Sequence, residues 1–410
     1  MRALLLLFLA PATWATTELS AETLPQLLGA SPGVRVLQER LKSAEALKGR
    51  LTRSFLPRLS VSFGRERFTT GPYHVADQSF GGVSAEVNLF NAGRDDLEEQ
   101  RRSTEAQIAG LDLALAERQL HAELKRALAH HAYLEELRAI TEKALAQNAE
   151  NLQRAQKRSA AGLATATDLL DFRQQKTHLG QELRTLDYEL GATQRLLNTL
   201  LGAAPERPLR VRFSNAHPEH GEEARALPRA EPLPVRRIVL EARAQELQLR
   251  REERWWAPSL DLYGYAQRFT QKEREYTPSD ARNDVTFGLR LSFPLFDGGE
   301  ALQAARAGRA LVAAKRSELR GQQLELERRA QDAEQKLALA HDLIHGAEEN
   351  VAIMVAYQRG VLSEYTRGVK NSPDLLQAGQ RWVEAHVQSA EVKKNYQFAK
   401  AEAEFLAQLR

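Results

Sequence analysis

Two short motifs occur twice in this chain at the same spacing, and this repetition strongly constrains the fold. LFNAG at 89–93 and LFDGG at 295–299 lie 206 residues apart, as do GLATATDLL at 162–170 and GVKNSPDLL at 368–376. Because the offset is shared, the segment between the two motifs has the same length in both copies. The chain is therefore predicted to be a tandem duplication.

The segment between the motifs predicts one very long helix in each copy. Residues 94–161 contain no proline and a single glycine, Gly110. An uninterrupted helix of this length would extend ~100 Å, because each residue adds about 1.5 Å. Apolar residues also recur every seven positions, which is typical of helices packed as a coiled coil. These residues are Leu113, Leu120, Ala127 and Leu134.

Boundaries follow from the repeat and from local stop signals. Residues 1–15, with a basic start, a short apolar core and a small residue at the end, are predicted to be a secretory signal peptide. The first repeat, 16–202, comprises a helix, a β-hairpin at 57–90, the long helix at 94–161, a turn at 162–168 and a returning helix. Residues 203–234 connect the repeats. The second repeat, 235–410, has its β-hairpin at 258–296, its long helix at 299–367 and its turn at 368–374, followed by a returning helix.

The predicted strands alternate apolar and polar residues, most clearly in the run VTFGLRLSF at 285–293. The connection at 69–78, which contains Gly71 and Pro72, is predicted to be a loop. Such strands, with aromatic residues near their ends, are typical of a transmembrane β-barrel. A water-soluble sandwich, or a sheet packed on helices, shows the same alternation, but the export signal and the repeated hairpins favour the barrel. Four strands are too few to close it, so the barrel must be oligomeric, with eight, twelve or sixteen strands.

Composition argues against several other classes. The 57 basic and 54 acidic residues nearly balance, so nucleic acid is not an expected partner, and the lack of cysteine excludes disulfides and thiol chemistry. With no glycine-rich nucleotide loop and no hydrolase motif, the chain is predicted to be neither an enzyme nor a cofactor-binding protein. The pair His341 and His345 has a spacing that can hold a metal, as has the pair His217 and His220. Ordinary surface histidines are far commoner, and no metal site is predicted.

The order and spacing of these elements resemble the TolC family of outer-membrane efflux proteins. The resemblance rests on the L-F-[DN]-x-G segment after each hairpin, the long helix and the G-x-x-x-x-x-D-[LV]-L turn, and it covers essentially the whole mature chain. It implies a mainly α fold with long antiparallel helical hairpins and four strands per protomer. Three protomers would form a twelve-stranded transmembrane barrel on a twelve-helix periplasmic tunnel.

By this resemblance, the chain is expected in the outer membrane of a Gram-negative bacterium, in contact with lipid and extending into the periplasm. It would be a passive channel of a tripartite efflux or type I secretion system, exporting small molecules or polypeptides. Its partners would be two further copies, a periplasmic adaptor (membrane fusion protein) and an inner-membrane pump. Two alternatives are a periplasmic coiled-coil adaptor or structural protein, and a family member that assembles but no longer opens. The duplication of the hairpin argues against an adaptor.

The resemblance also implies a periplasmic gate at the turn of the second repeat. The tyrosine, the basic residue and the first aspartate of the family's gate correspond to Tyr365, Lys370 and Asp374, whereas Gln377 occupies the position of the second aspartate. Copies of Asp374 around a threefold axis would attract cations, as carboxylate rings do in cation channels. Opening would require the long helices to separate, breaking bonds of Tyr365 or Lys370 to neighbouring helices.

The turn of the first repeat supplies further candidates. Asp168 and Asp171 can provide the charge that Gln377 lacks. Alternatively, Asp168 and Asp374 are helix N-caps that only satisfy free backbone amides. The exposed turns are also expected to meet the adaptor through Gly162, Leu163, Gly368 and Val369.

Overall fold

A computed structural model describes residues 17–19, 24–49, 55–70, 74–162, 165–215, 231–272 and 281–409. The predicted signal peptide, Leu163 and residues 216–230 of the predicted connector, which include His217 and His220, lie outside these ranges. Contact clustering divides the chain into two compact units. Unit 1 comprises residues 1–36, 114–232 and 325–410, and unit 2 comprises residues 37–113 and 233–324.

The described elements follow the same order twice, which confirms the prediction of long helical hairpins and four main strands per chain. The first repeat contains β1 Thr17–Leu19, α1 Leu24–Leu27, a 3-10 turn at Leu28–Ala30, α2 Pro32–Ala46, β2 Arg58–Thr70, β3 His74–Phe90, α3 Arg94–Ala160 and α4 Ala166–Leu200. After β4 Leu209–Val211, the second repeat contains α5 Leu233–Glu253, β5 Ser259–Lys272, β6 Ala281–Ser292, α6 Glu300–Thr366 and α7 Ser372–Gln408.

Unit 2 contains a four-stranded antiparallel sheet in the order β2-β3-β5-β6. Each repeat contributes one hairpin, and β3 pairs with β5 to join them. The predicted loop at 69–78 is mostly strand, because the pairing of β2 with β3 continues to Thr70 and His74. The two outer strands, β2 and β6, form the edges of the sheet.

The two faces of this sheet differ sharply in polarity. One face exposes large apolar side chains, and Phe287 is 83% exposed there. The other members of this face include Leu59, Val61, Phe63, Val285 and Leu289. On the opposite face, the hydroxyls of Ser60 and Ser84 lie 2.6 Å apart. An exposed apolar face of this kind requires apolar surroundings, since water would make its exposure unfavourable.

Four glycines of the sheet lie directly opposite aromatic residues on the adjacent strand. The pairs are Gly64 with Phe80, Gly81 with Phe63, Gly264 with Phe287, and Gly288 with Tyr263. At Gly64, an added Cβ would lie 2.4 Å from the Phe80 ring, so this ring occupies the space that a larger side chain would take. At Gly64, Gly81 and Gly288 the aromatic ring thereby compensates for the missing side chain of its partner glycine.

An ion cluster connects α3 to α5 within unit 2. Buried Glu98 accepts hydrogen bonds from Arg101 at 2.8 Å and Arg102 at 2.9 Å, and Arg251 of α5 lies 3.5 Å away. The hydrogen bond from Arg101 is the largest influence on the pKa of Glu98, which is lowered to about 2 despite the opposing effect of burial. Glu98 therefore stays ionised and paired where α3 begins.

Unit 1 is built mainly from helices that bury alanine, leucine and aromatic side chains between them. One core cluster lies beside the two helical turns and contains Phe172, Tyr365 and Leu375. A second cluster, around Ile140, Leu179 and Trp382, packs farther along the same helices. A short parallel pairing of β1 with β4 also belongs to this unit. Among the described helices, none has the length and hydropathy needed to span a membrane.

Candidate functional site

Each of the long helices α3 and α6 is followed, two residues after its end, by a glycine with a positive φ angle. Gly162 and Gly368 have φ angles of +72° and +83°, a region that suits glycine because it lacks Cβ. After α6, the amide of Gly368 donates to the carbonyl of Tyr365 at 3.1 Å, and the amide of Val369 donates to that of Glu364 at 3.0 Å. These bonds satisfy carbonyls that would otherwise be unpaired at the helix end. Gly162, Gly368 and Val369 are all exposed.

Both returning helices begin with a capping box. In α4, Thr165 is the N-cap residue, and its amide donates to the Asp168 carboxylate at 2.8 Å. In α7, Asn371 is the N-cap residue, and its amide donates to Asp374 at 3.2 Å. The interpretation of Asp168 and Asp374 as N-caps is therefore wrong in position, since each is the third residue of its helix. Each carboxylate nevertheless satisfies a free amide, as that interpretation required.

Tyr365 is the most deeply buried of the gate candidates, with only 1% of its surface exposed. It packs in a cluster to which all four long helices of unit 1 contribute: Ala155 from α3, Phe172 from α4, Val361 from α6, and Leu375 and Ala378 from α7. Its hydroxyl lies 3.5 Å from the hydroxyl of Ser372. Tyr365 thus anchors the two repeats to each other beside their turns.

Arg158, near the end of α3, makes the polar contact between the two turns. Its guanidinium donates a hydrogen bond to the carbonyl of Tyr365 and lies 4.4 Å from the centre of the Tyr365 ring. A guanidinium at this distance from an aromatic face is attracted to it electrostatically. Sequence reasoning missed Arg158, because it is one of many basic residues on a long helix and no local motif distinguishes it.

The remaining candidates lie at the surface without such contacts. Within the described part of the chain, the side chains of Lys370, Gln377 and Asp171 form no hydrogen bond or ion pair. Lys370 and Asp171 are half-buried, and Gln377 is exposed. Any bond that these three side chains make must therefore involve a group outside the described residues of this protomer.

The described residues contain no group of three or more histidine, aspartate and glutamate side chains placed to hold a metal ion. His341 and His345 do lie close together, with ring centres 5.4 Å apart in an edge-to-face arrangement. This contact is between aromatic rings and requires no metal.

Comparisons with known proteins agree with this architecture. The family model described as outer membrane efflux protein matches residues 23–203 and 230–406. No curated protein matches the chain.

Several solved structures have the same fold. The outer membrane protein VceC of Vibrio cholerae superposes with a TM-score of 0.77 at 14% identity, over 94% of this chain and 96% of VceC. The CmeC outer membrane channel of Campylobacter jejuni superposes with a TM-score of 0.79 at 12% identity, over 95% of this chain and 86% of CmeC. The open state of the MtrE outer membrane channel of Neisseria gonorrhoeae superposes with a TM-score of 0.68 at 15% identity, over 94% of this chain and 88% of MtrE. At these identities, the superpositions establish the fold alone.

Proposed function

Because this chain belongs to the outer membrane efflux protein family and is an outer-membrane channel extending into the periplasm, we propose that three copies assemble into one continuous conduit. The observation that carries this proposal is the pair of open edges on the four-stranded sheet. Backbone groups at an open edge within a membrane have no water to bind and must find another strand.

The topology of the sheet supports closure between copies. Every neighbouring pair in the order β2-β3-β5-β6 is antiparallel, so the two edge strands run in opposite directions. The β6 edge of one copy can therefore pair with the β2 edge of the next in the same antiparallel manner. Three copies would give the twelve-stranded barrel, with the apolar face of each sheet turned towards lipid and the polar face towards the lumen.

The mass of the detergent-solubilised particle, with bound detergent subtracted, tests the assembly. Three chains per particle, together with ion conductance after reconstitution into a planar bilayer, are the expected results. A monomer, or a particle of two or four chains, would contradict a closed barrel of twelve strands.

The conduit is proposed to act as a passive component. It would receive its cargo and its energy from a periplasmic adaptor and an inner-membrane pump, with Gly162, Gly368 and Val369 presented for docking at the exposed turns. It would itself carry out no catalysis. The alternative of a periplasmic adaptor has no support in the fold, because the family model matches both repeats of this chain.

The contact between Arg158 and Tyr365 is proposed to hold the periplasmic end of the conduit closed. It joins α3 of the first repeat to α6 of the second, so these helices cannot separate without breaking it. Lys370 is proposed to add a contact to a neighbouring protomer, since its side chain forms no hydrogen bond or ion pair within the described part of its own chain. Asp374 and Asp168 would place negative charge around the entrance.

Cross-linking tests whether α3 and α6 must separate for opening. The amides of Gln147 in α3 and Gln358 in α6 are hydrogen-bonded at 3.1 Å. Since the chain has no cysteine, the pair Gln147→Cys and Gln358→Cys can be joined specifically by a short bismaleimide linker. The linked channel is expected to lose its high-conductance openings, while each single-cysteine variant keeps them. Unchanged openings after complete linkage would show that the gate lies elsewhere.

A further inference from the structure

Two stacks, each made of a lysine, an aromatic residue and a histidine, connect α3 to α7 in unit 1. In the first, Lys143 of α3 lies over the ring of Trp382 in α7, with its ammonium nitrogen 5.0 Å from the ring centre. The ring of His386, one turn farther along α7, lies 3.9 Å from that of Trp382. The first stack thus brings together a lysine, an aromatic ring and a histidine.

The second stack reverses the contributions of the two helices. Lys394 of α7 lies 4.3 Å from the ring centre of Tyr133 in α3, and the ring of His130 in α3 stacks on Tyr133 at 6.1 Å. Each helix thus supplies one aromatic residue with a histidine beside it, and the opposite helix supplies the lysine. The first stack belongs to a core cluster that also contains Ile140 and Leu179, and Tyr133 packs against the same cluster.

Both stacks are suited to neutral histidine. The Nδ1 atom of His386 lies 2.8 Å from the carbonyl oxygen of Trp382, and it must carry the proton because a carbonyl only accepts. A second proton on His386 would place a positive charge near the ammonium of Lys143, which opposes it. Protonation of His130 would likewise place a positive charge near the ammonium of Lys394.

We propose that the two lysine–aromatic–histidine stacks form an acid-sensitive clasp between α3 and α7, which loosens when His130 and His386 become charged. This proposal goes beyond the channel function, because it gives the periplasmic helices a response to pH. It is independent of the contact between Arg158 and Tyr365.

The surroundings of His386 oppose protonation on balance. Burial lowers the pKa of His386 below its ordinary value, and the nearby charges of Lys143 and Lys393 lower it further. The hydrogen bond to the Trp382 carbonyl and the charge of Glu136 act in the opposite direction.

The surroundings of His130 also oppose its protonation. Burial lowers the pKa of His130, Lys394 of α7 lowers it further, and Glu189 of α4 opposes them. The adjacent His131 is also buried, with a lowered pKa.

The direction in which pH changes stability follows from these lowered pKa values. Above the ordinary histidine pKa of about 6.5, both the folded and unfolded chains hold neutral histidine, and the clasp is intact. As pH falls below that value, the unfolded or loosened state binds protons more readily than the packed state. The packing of α3 on α7 therefore loses stability with acidification.

The test compares purified wild-type channel with the double variant His130→Gln and His386→Gln. The apparent melting temperature, followed by helical circular dichroism, is measured at pH 7.5 and at pH 5.5. The wild type is expected to lose several degrees on acidification, and the double variant to lose at most about half as much, since two of the responsible histidines are gone. His178→Gln, at an exposed position on α4, serves as the control and should melt like the wild type at both pH values.

A second measurement localises the effect to the two helices. Spin labels at Ala139→Cys and Gln388→Cys, exposed positions on α3 and α7, report the separation of these helices. The distance distribution is expected to widen at pH 5.5 in the wild-type background but not in the double variant. Should the double variant fail to assemble, each single histidine variant is expected to reduce the widening. The same widening with and without His130 and His386, or none in the wild type, would overturn the proposal.

Discussion

The turns after α3 and α6 share a glycine with positive φ and a capping box, yet the large side chain in the core beside them comes from a different helix in each repeat. In the first repeat the core receives Phe172, while the small Ser159 occupies the position equivalent to Tyr365. In the second repeat the core receives Tyr365, while Ala378 is the equivalent of Phe172. The large side chain thus comes from the returning helix in one repeat and from the long helix in the other.

The charges differ between the repeats in the same way. Arg158 of the first repeat corresponds to Glu364 of the second, since they lie 206 residues apart. Arg158 contacts Tyr365 of the other repeat, but within the described residues Glu364 makes no side-chain bond to Ser159. The contact of Arg158 with Tyr365 between the two turns therefore has no symmetric equivalent. This asymmetry explains why the second turn is the stronger candidate for control of opening.

Removing the large buried side chain of either repeat, Tyr365 or Phe172, would have the largest effect on stability. Tyr365→Ala and Phe172→Ala each delete a fully buried ring and are expected to destabilise unit 1 by about 3–5 kcal/mol. Both should lower the apparent melting temperature of the purified channel. Only Tyr365→Ala also removes the ring beneath Arg158, so it alone should markedly raise the frequency of high-conductance openings in planar bilayers.

Tyr365→Phe provides the matched control for this pair. It keeps the ring and loses only a hydroxyl whose contact with Ser372 is long, at 3.5 Å. Its conductance and melting temperature should stay near those of the wild type. If Phe172→Ala opened the channel as strongly as Tyr365→Ala, general loosening of the core would be the cause, and the asymmetry would have no functional role.

Replacing Arg158 or Glu364 singly by glutamine should have a smaller effect than removing a buried ring. Arg158→Gln removes the guanidinium from the ring and weakens the bond to the Tyr365 carbonyl, a loss of about 1–3 kcal/mol. More frequent openings are expected in bilayer recordings. Glu364→Gln should leave them unchanged, because the turn uses the backbone carbonyl of Glu364 and not its carboxylate. Equal effects of both variants would indicate that net charge near the turns, and not this contact, sets the opening frequency.

The two glycines test the part of the comparison in which the turns are equivalent. Gly162→Ala and Gly368→Ala place a Cβ where no heavy atom lies within 4 Å, so the only penalty is backbone strain. A left-handed conformation costs roughly 1–2 kcal/mol for a residue with a Cβ. The two variants should therefore lower the melting temperature by similar amounts. A much larger loss for Gly368→Ala would show that the second turn carries an additional constraint.

The architecture was predictable because its signals are local or periodic. Repetition of LFNAG and LFDGG at one offset indicated the duplication, and the absence of helix-breaking residues indicated the long helices. Alternation in β6 identified both the strand and its exposed apolar face. The match to the outer membrane efflux protein family confirms the predicted channel function and location, and the superpositions on solved structures confirm the fold class.

The site was harder to predict because it depends on packing between distant segments. Burial of Tyr365 results from four helices meeting, and no pattern around residue 365 reveals this. Arg158 likewise has no local signature. One signal was available: Thr165 and Asn371 each precede an aspartate by three residues, which is the spacing of a capping box and places the aspartate at the third helical position.

Removing only the charge of the capping aspartates should have the smallest effect on stability, and it separates their two possible roles. Asp374→Asn keeps an oxygen that can accept from the amide of Asn371, and it forfeits about 0.5 kcal/mol of favourable interaction with the helix dipole. If copies of Asp374 surround the entrance, this variant should lose part of the block by divalent cations and show more ion leak in bilayers.

Asp168→Asn is the matched change at the first turn. It should produce a weaker effect alone and add to that of Asp374→Asn, because both carboxylates would contribute charge to the same entrance. Asp374→Ala should reproduce the loss of block and also lower the melting temperature, since it removes the cap acceptor as well. If block and leak stayed at wild-type values in Asp374→Asn while Asp374→Ala lost only stability, capping alone would account for both aspartates. The two turns would then be alike in function as they are in their glycines and capping boxes, and their difference would reside entirely in Arg158 and Tyr365.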